Sequence, residues 1–542
     1  MKRIFLPLLI LSVFAASMSA QRGNNTDARK LQLALYAISN LYVDSTSETK
    51  LVEDAIVGML EKLDPHSTYT DPEETKEMTE PLQGNFDGIG IQFNMLTDTL
   101  YVIQVIPGGP SEKVGLMAGD RIIMVDDTLI AGVKMKNTDV MKRLRGPKNT
   151  EVRVKVLRNK VPDLIEFKIT RGKIPVYSLD AAYMADKATG YIKLNRFAAS
   201  SADEFREALE KLKKQGMKNL ILDLQGNGGG YLNIAIDLAD EFLGKDKLIV
   251  YTEGNKQPRE EAKSSARGGF EEGRLVVLVD EYSASASEIV TGAIQDWDRG
   301  VVVGRRSFGK GLVQRPIDLP DGSMIRLTIA RYYTPAGRCI QKPYDSTADT
   351  KLSGRNSDSE NNQKKYNQDL IDRFNRGELM NADSIHFPDS LKCQTKKLGR
   401  TVYGGGGIMP DYFVPIDTTL YTDYHRNLVA KGVIIKLTMK YIEKHRKELL
   451  NKYKKFETFN EKFEVDDELL KTMREMADQE KIEFNEEQYN KALPLIKTQL
   501  KALIARDLWD MNEYFQVMNK TNKSVERALE ILSSKEYEQM LK

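Results

Sequence analysis

The chain has 542 residues, of which 41% are hydrophobic and 29% are charged. At about 100–200 residues per domain, this length predicts a globular protein of about three domains with an ample core. The 80 basic and 78 acidic residues leave a net charge of +2, so the overall electrostatic field does not favour binding to nucleic acid. Cys339 and Cys393 are too few to indicate a disulfide scaffold, and whether they pair stays open.

The first 20 residues have the pattern of a signal peptide. A basic start, Met1-Lys-Arg, precedes an apolar run from Ile4 to Ala16, and small residues continue to Ala20. This pattern predicts cleavage after Ala20. The apolar run is short for a membrane span, so an uncleaved anchor is the less favoured alternative. We expect an exported protein in the periplasm or cell envelope, associated with the membrane if the signal peptide is retained.

Residues 26–80 predict a helical N-terminal region. Apolar residues recur there at roughly helical intervals from Leu31 to Leu63. The region closes with Leu63-Asp-Pro-His-Ser-Thr-Tyr69. His66 has no Cys or His near it in sequence, which is typical of a structural histidine rather than a metal ligand.

Residues 84–171 contain two glycine-bearing blocks. Gly88-Ile-Gly-Ile91 leads into a strand that reaches Phe93, and Gly115-Leu-Met-Ala-Gly-Asp-Arg-Ile-Ile123 follows further along. The first block alone fits any tight turn, but the pair resembles a PDZ domain, a small β-rich module. In PDZ domains this loop holds a peptide's C-terminal carboxylate, and the next strand takes the peptide as an added strand. The resemblance implies a peptide-binding set of Gly88, Ile89, Gly90, Ile91 and Phe93.

Residues 175–340 alternate between apolar strands and helices. The strand Asn219-Leu-Ile-Leu-Asp-Leu224 ends in Gln225-Gly-Asn-Gly-Gly-Gly230, and an apolar helix is expected from Tyr231. Glycines in such a loop let the backbone approach a ligand closely and aim N–H groups at an oxyanion. A nucleotide-binding loop is the alternative, but both the G-x-G-x-x-G spacing and the Walker lysine are missing.

The stretch 283–314 carries the candidate chemistry. Apolar residues 275–279 predict a buried strand just before it. Ser285 with Glu288 fits the S-x-x-E pattern that caps the start of a helix. The sequence therefore places a serine at a strand-to-helix turn.

A lysine follows on a second strand and loop. Val301–Gly304 predicts a strand, and Ser307-Phe-Gly-Lys-Gly311 predicts a tight loop. A serine hydroxyl is a poor nucleophile unless a base takes its proton, and a helix N-terminus stabilises the oxyanion that develops. None of the four histidines is near in sequence, so Lys310 is the natural base if apolar surroundings depress its pKa. The alternative is small-residue packing around Ser285, with Lys310 as a surface cation.

The combined pattern resembles the carboxyl-terminal processing peptidases, also called tail-specific proteases. Ser-Ala-Ser-Ala-Ser-Glu-Ile from Ser283, the Phe-Gly-Lys-Gly loop and Gln314 match that family in type and spacing. The resemblance implies that Ser285 is the nucleophile, Lys310 the general base and Gln314 the residue that orients the lysine. Ser283 and Ser287 are the competing nucleophiles.

The same resemblance assigns roles to surrounding groups. Gly228 or Gly229, together with the N–H of Ala286, would form the oxyanion hole. The family has Arg at the position of Gln225, so any charge role of that Arg is absent here. Asp296 matches a recurrent acidic position, which we interpret as structural support.

The remainder of the chain changes character. Residues 341–399 are rich in Ser, Asn, Asp, Lys and Gln with little to bury, which predicts a disordered or mobile insertion. Residues 400–420 return to a Gly-Ile-x-Pro-Asp pattern, ending at Asp411, that resembles the segment closing the family's core. Residues 421–542 predict amphipathic helices, which are candidates for homo-oligomer contacts, for binding an adaptor or regulatory protein, or for simple packing.

These expectations combine into one architecture. We predict an α/β (α+β) protease core of crotonase-like strand-helix repeats, an inserted PDZ domain, and helical N- and C-terminal regions. The leading hypothesis is an exported serine endopeptidase that binds proteins or peptides through apolar C-terminal tails. It would cleave by a Ser-Lys acyl-enzyme mechanism, for which the resemblance implies no metal or organic cofactor. A catalytically silent PDZ scaffold on a protease-like core and a crotonase-type acyl-transfer enzyme are the alternatives.

Overall fold

A computed structural model describes residues 26–96, 98–159, 161–344 and 359–542. The predicted signal peptide, residues 1–20, lies outside them. Among the described helices, none is both long enough and apolar enough to cross a membrane. The described residues divide into two units. The smaller unit comprises residues 26–72, 314–328, 344 and 359–366, and the larger unit comprises the others.

The N-terminal residues form three helices and one short strand. These are α1 (Thr26–Leu41), α2 (Glu48–Leu60), β1 (Thr68–Thr70) and α3 (Pro72–Gln83). α2 begins after Ser47, whose hydroxyl accepts a hydrogen bond from the Lys50 N–H (3.4 Å), as an N-cap residue does. The turn before β1 is built on Asp64, whose carboxylate accepts from the N–H groups of His66 (2.8 Å) and Ser67 (3.0 Å).

Residues 85–175 fold into a small β-rich domain. Its elements are β2 (Asn85–Gly88), β3 (Ile91–Leu96), β4 (Thr99–Val105), α4 (Pro110–Lys113), β5 (Arg121–Val125), β6 (Thr128–Leu129), α5 (Asn137–Leu144), β7 (Glu151–Leu157), β8 (Ile165–Thr170) and β9 (Gly172–Pro175). One antiparallel sheet has the order β3-β4-β5-β7-β8, with β6 beside β5, and β2 pairs with β9. Burial alternates along β7, so Val152, Val154 and Val156 enter one core.

The next residues supply a central sheet and its helices. They form β10 (Leu179–Met184), β11 (Thr189–Leu194), α6 (Ser201–Lys214), β12 (Asn219–Asp223), α7 (Leu232–Asp240), β13 (Leu248–Gly254), β14 (Gln257–Lys263), β15 (Arg274–Val279), α8 (Ala286–Asp296), β16 (Val301–Gly304), β17 (Leu312–Asp318) and β18 (Met324–Tyr333). The central sheet runs β10-β11-β12-β15-β16. Its strands are parallel from β11 onward, and β10 is antiparallel to β11.

The described chain also contains strand pairings outside the central sheet. In the larger unit β13 pairs with β14, and Tyr251 of β13 lies opposite Tyr333 at the end of β18. In the smaller unit β1 pairs with the start of β18, where Thr70 lies opposite Met324.

The insertion after β18 differs from the predicted disorder. Its described part contains α9 (Ser359–Asn375), 3₁₀ turns at Ala382–Ser384 and Asp389–Leu391, and β19 (Lys392–Gln394), which pairs with β20 (Thr401–Tyr403). Arg373 and Leu379 are buried in this segment. A few buried residues, including the charged Arg373, therefore order a segment whose sequence has no regular spacing of apolar residues. Residues 345–358, which belong to the same prediction, lie outside the described residues.

The C-terminal region is helical. It contains β21 (Tyr412–Phe413), α10 (Asp423–Ala430), α11 (Val433–Lys452), α12 (Phe456–Lys462), α13 (Asp467–Gln479), α14 (Glu486–Leu508), α15 (Met511–Met518), a 3₁₀ turn (Asn519–Thr521), α16 (Lys523–Ser533) and α17 (Glu536–Met540). β21 extends the central sheet in parallel with β16. Phe459, Met473 and Ile496 belong to a core that these helices build among themselves. Cys339 and Cys393, before this region, are both free thiols.

The central sheet is covered on both faces. Leu220 and Leu222 of β12 share a core cluster with residues of α6, α7 and α8, whereas Ile221 packs with Val525 and Ile531 of α16. Strands buried on both faces need continuous apolar sequence, which β12, β15 and β16 have. In such sheets, ligands bind beyond the carboxyl ends of the parallel strands. The loops after β12, β15 and β16 are therefore where a site is expected.

Candidate active site

Ser285 stands at the turn between β15 and α8. It is the last residue before the helix and has φ +55° and ψ −112°. Such backbone costs about 1–3 kcal/mol for a residue with a side chain and persists only where the surroundings impose it. Its N–H donates to the Glu288 carboxylate (2.8 Å), which helps to hold the turn. A strained strand-to-helix turn presents a serine hydroxyl at the end of a sheet.

The other two serines of the motif are committed to the interior. The Ser283 hydroxyl donates to the Leu224 carbonyl (2.8 Å), and the Ser287 hydroxyl donates to the Asn227 carbonyl (2.8 Å). Both serines are fully buried, whereas Ser285 is partly exposed. Of the three candidates, Ser285 is the one that a substrate can reach.

Glu288 connects the turn that carries Ser285 to residues 305–311, the loop between β16 and β17 that carries Lys310 and is called the lysine loop below. Its Oε2 accepts hydrogen bonds from the N–H groups of Ser285 (2.8 Å) and Lys310 (2.9 Å). Its Oε1 accepts from the Gly309 N–H (2.7 Å) and the Ser307 hydroxyl (2.5 Å). A carboxylate offers about four acceptor positions, so all of them are used. One side chain thus fixes Ser285 and Lys310 relative to each other.

Tyr332 of β18 makes a second link, on the carbonyl side. Its hydroxyl lies within hydrogen-bond distance of the Ser285 carbonyl (3.1 Å) and of the Lys310 carbonyl. The ring is buried, and the Tyr332 N–H donates to the Gly311 carbonyl (3.0 Å). The backbones of Ser285 and Lys310 are therefore joined through both their N–H and their C=O groups.

The charge state of Glu288 is sensitive to pH. Burial raises the pKa of Glu288 to about 7, because desolvation disfavours the ionised form. The hydrogen bonds from Ser307, Lys310, Gly309 and Ser285 oppose this shift, because they stabilise the carboxylate. Glu288, which joins the turn of Ser285 to the loop of Lys310, therefore changes its charge near neutral pH.

The glycine loop after β12 lies against the serine turn. A Cβ on Gly229 would come within 2.9 Å of the Ser285 Cβ and 3.0 Å of the Ala286 nitrogen, so only glycine fits. The Gly229 N–H donates to the side-chain carbonyl of Asn227 (2.9 Å) and is thereby taken. Within the described residues, the N–H groups of Gly228 and Ala286 have no hydrogen-bond acceptor. Of the predicted oxyanion donors, these two are the ones open to a ligand.

Gln225 is held by the C-terminal region. Its side-chain N–H donates to the Ser524 hydroxyl (3.3 Å), and its side-chain oxygen accepts from Asn522 (3.0 Å). The ammonium of Lys193 donates to the Gln225 carbonyl (3.0 Å) and pairs with Asp223 (3.3 Å). The uncharged side chain of Gln225 therefore holds the start of the loop that carries Gly228 to α16 and to the turn before that helix.

Gln314 belongs to the smaller unit, and Ser285 and Lys310 belong to the larger one. The Gln314 amide donates to the Thr328 hydroxyl oxygen (3.2 Å), and the Thr328 hydroxyl donates in turn to Asp64 (3.0 Å). The orientation of Lys310 by Gln314 stays a prediction.

Asp296 forms a buried ion pair at the far end of α8. Its Oδ1 accepts from Arg338 (2.6 Å), and neither side chain is exposed. Its Oδ2 accepts from the Ala336 N–H (2.8 Å). These contacts fasten α8 to the segment after β18, which is a structural task.

The candidate peptide site lies along β3. Gly88 ends β2, Ile89 and Gly90 link it to β3, and Ile91 and Phe93 lie within β3 and pack in part against the domain core. Gly90 has φ +76°, a conformation that favours glycine. In the described chain, the N–H groups of Ile89 and Gly90 have no acceptor, and the outer edge of β3 has no partner strand.

Sequence patterns leave three residues of this site without their full role. They assign Glu288 only a helix-capping role, and they assign none to Asn227 or Tyr332. The i, i+3 spacing of Ser285 and Glu288 is a local signal that is present in the sequence. The contacts of Glu288 with the lysine loop are long-range, so no local pattern reports them.

Comparison with known proteins identifies the family. Residues 188–351 match peptidase family S41, and residues 88–169 match the PDZ domain. A carboxy-terminal-processing protease of Bartonella bacilliformis is 36% identical over 342 residues, covering 61% of this chain and 77% of that protein. The chain belongs to the carboxy-terminal processing proteases. It is a serine-type peptidase with a PDZ domain.

Other matches extend along this protease. The carboxy-terminal processing protease CtpB of Bacillus subtilis is 34% identical over 339 residues, covering 60% of this chain and 69% of that protein. The solved photosystem II D1 C-terminal processing protease is 28% identical with a TM-score of 0.33, covering 58% of this chain and 90% of that one. Residues 12–75 match the N-terminal domain of the activating protease CtpB, and residues 424–510 match a family of unknown function.

Proposed function

We propose that this protease is an exported endopeptidase that captures substrates by apolar C-terminal tails and cleaves them with a Ser285–Lys310 dyad. One observation carries the catalytic part of the proposal. The Glu288 carboxylate and the Tyr332 hydroxyl join the backbones of Ser285 and Lys310 on both sides. A nucleophile and its base need such fixed relative placement, because proton transfer requires contact between them.

The reaction then follows acyl-enzyme chemistry. Neutral Lys310 takes the Ser285 proton as the hydroxyl oxygen attacks the substrate carbonyl, and the N–H groups of Gly228 and Ala286 stabilise the resulting oxyanion. The lysine ammonium gives its proton to the departing amine as the peptide C–N bond breaks. A water molecule, deprotonated by the same lysine, then attacks the ester. The lysine returns that proton to the departing Ser285 oxygen, which releases the acid product and restores both residues.

The open edge of β3 supports the binding part of the proposal. A substrate tail can add to this edge as a further strand, with its carboxylate at the N–H groups of Ile89 and Gly90. Ile91 and Phe93 provide an apolar surface beside it. An apolar tail with a free carboxylate is the ligand that fits these groups.

Cleavage of an unfolded protein with an apolar tail tests this function. Amidating the terminal carboxylate should raise KM by about 10–100-fold and leave kcat nearly unchanged, because hydrogen bonds to a charged group are lost. The measurement is initial rates of substrate loss for the free-acid, amidated and acidic-tailed versions of one substrate. The Ser285→Ala variant serves as the inactive control. Equal KM for all three tails would refute capture through the β3 edge.

Export is tested on the protein isolated from cells. The N-terminal pattern predicts a mature chain that begins at Gln21 and is found in the cell-envelope or periplasmic fraction. N-terminal sequencing of the fractionated protein measures this directly. A chain that begins at Met1 and remains in the cytosol would contradict export, and one that begins at Met1 in the membrane fraction would indicate a retained anchor.

A further inference from the structure

A buried arginine from the insertion contacts the lysine loop. Arg373 lies in the last turn of α9, and its side chain is 1% exposed. Its guanidinium donates from Nη2 to the Arg306 carbonyl (2.7 Å) and from Nη1 to the Ser307 carbonyl (3.2 Å). These two carbonyls belong to the loop that carries Lys310. A planar guanidinium that binds two successive carbonyls restricts the path of that loop.

Charge compensation keeps this arginine in place. Burying a cation is costly unless it is paired. The Glu378 carboxylate lies 3.7 Å from Arg373, 2.7 Å from Arg376, and in contact with the Arg306 guanidinium. Burial lowers the pKa of Arg373 to about 10, which leaves the group protonated at neutral pH. The arginine therefore acts as a permanent donor.

A second contact from α9 reaches the same loop. Asp369 pairs with Lys342 (2.9 Å), which is itself nearly buried. The Lys342 N–H donates to the Gly309 carbonyl (2.9 Å), and its ammonium lies 4.0 Å from the centre of the Phe308 ring. The last two turns of α9 therefore contact residues 306–309 directly through Arg373. They also contact them indirectly, because Asp369 binds Lys342.

Ser307 transmits this support to the catalytic residues. Its carbonyl accepts from Arg373, and its hydroxyl donates to Glu288 (2.5 Å). Glu288 in turn accepts from the N–H groups of Ser285 and Lys310. Two short steps thus separate Arg373 from both members of the proposed dyad.

We infer that Arg373 is a positioning residue for catalysis, which fixes the lysine loop from the insertion so that Lys310 meets Ser285. The inference rests on the proposed dyad. It assigns the polar insertion a part in the reaction, although the insertion's described residues supply neither member of the proposed dyad. Small displacements at a reacting centre can cost about 100-fold in rate, so loss of this support should appear in kcat.

Arg373→Met and Arg373→Lys test this role against a matched control. Arg299 also binds backbone carbonyls, those of Phe242 (2.9 Å), Gly273 (3.0 Å) and Phe270 (2.7 Å), and none of them lies in the lysine loop. Arg373→Met should lower kcat about 10–100-fold with little change in KM, and Arg373→Lys should restore part of the loss. Arg299→Met should lower Tm, because it also removes bonds to backbone carbonyls, and should leave kcat per folded molecule unchanged.

Amide hydrogen exchange supplies a readout that does not depend on activity. Exchange at residues 307–311 should become faster in Arg373→Met and stay unchanged in Arg299→Met, measured on the full chain. Unchanged exchange and unchanged kcat in Arg373→Met would overturn the inference, as would an equal loss of kcat in Arg299→Met. Failure of the proposed dyad would appear differently, as an active Lys310→Ala variant.

Discussion

Replacing Lys310 with alanine is expected to lower kcat for a tailed substrate by about 10³-fold while the protein stays folded. A serine hydroxyl needs a base, and no histidine among the described residues hydrogen-bonds to Ser285. His425 bonds to Gln499 (2.8 Å) and His445 to Glu448 (3.1 Å) instead. The proposed base is therefore Lys310, whose backbone Glu288 already fixes.

Lys310→Arg separates base catalysis from charge. Arginine keeps the positive charge and a similar length, but it stays protonated and cannot accept the serine proton. Both variants should be equally inactive, measured as kcat/KM and as the rate at which a phosphonate probe labels Ser285. Circular dichroism and Tm check the fold. Activity near wild type in Lys310→Arg would mean that the lysine acts through its charge, and the dyad would fail.

Local sequence patterns account well for the elements around this site. The apolar run 275–279 is part of β15, Val301–Gly304 is β16, and the helix begins at Ala286 directly after Ser285. These elements follow from short-range physics: buried strands need apolar runs, and a helix start needs a capping pattern. The family resemblance adds the choice of Ser285 and Lys310 as the candidate dyad.

Long-range contacts are what local patterns do not report. Asn227 takes the Gly229 N–H, which leaves Gly228 as the open donor, and no property of the glycine run distinguishes the two. From the sequence, Tyr332 is one more strand residue, although its hydroxyl lies within hydrogen-bond distance of the backbone carbonyls of Ser285 and Lys310. Each depends on chain segments that meet only in the folded protein.

The insertion shows why composition misleads. Low apolar content predicts disorder because folding requires buried surface to offset lost chain entropy. Arg373 and Asp369 dock through charge and hydrogen bonds, which hydropathy does not register. The partner groups, the carbonyls of Arg306 and Ser307, are backbone atoms and leave no trace in the sequence.

Glu288→Gln is expected to lower kcat about 100-fold and to remove an acid limb near pH 7 from the activity profile. The ionised carboxylate accepts four hydrogen bonds. A glutamine presents an N–H₂ group to two of those donors, and a backbone N–H cannot accept from it, so at least one bond is lost. A protonated Glu288 also loses acceptor capacity, because its O–H takes the place of one accepted bond. Activity of the wild type should therefore fall as pH drops through about 7.

Stability should respond to Glu288 in the opposite direction. The folded pKa of about 7 lies above the ordinary value of 4.5, so between these values the folded state binds more protons than the unfolded chain. Glu288 therefore favours folding most at low pH, and that contribution is lost as pH rises toward 7. As pH rises from 4.5 to about 7, the Tm of the wild type should fall relative to the Tm of Glu288→Gln. Over the same interval the kcat of the wild type should rise.

A buried carboxylate away from the dyad provides the control. Asp411 accepts from the Val302 N–H (2.8 Å), from Gln295 (3.0 Å) and from Arg400 (2.7 Å), and burial raises its pKa. Asp411→Asn should change Tm and keep the acid limb near pH 7. Rates measured from about pH 5 to about pH 9 decide between the two. If Glu288→Gln kept that limb, another group would set the pH dependence, and Glu288 would have only the structural part of its role.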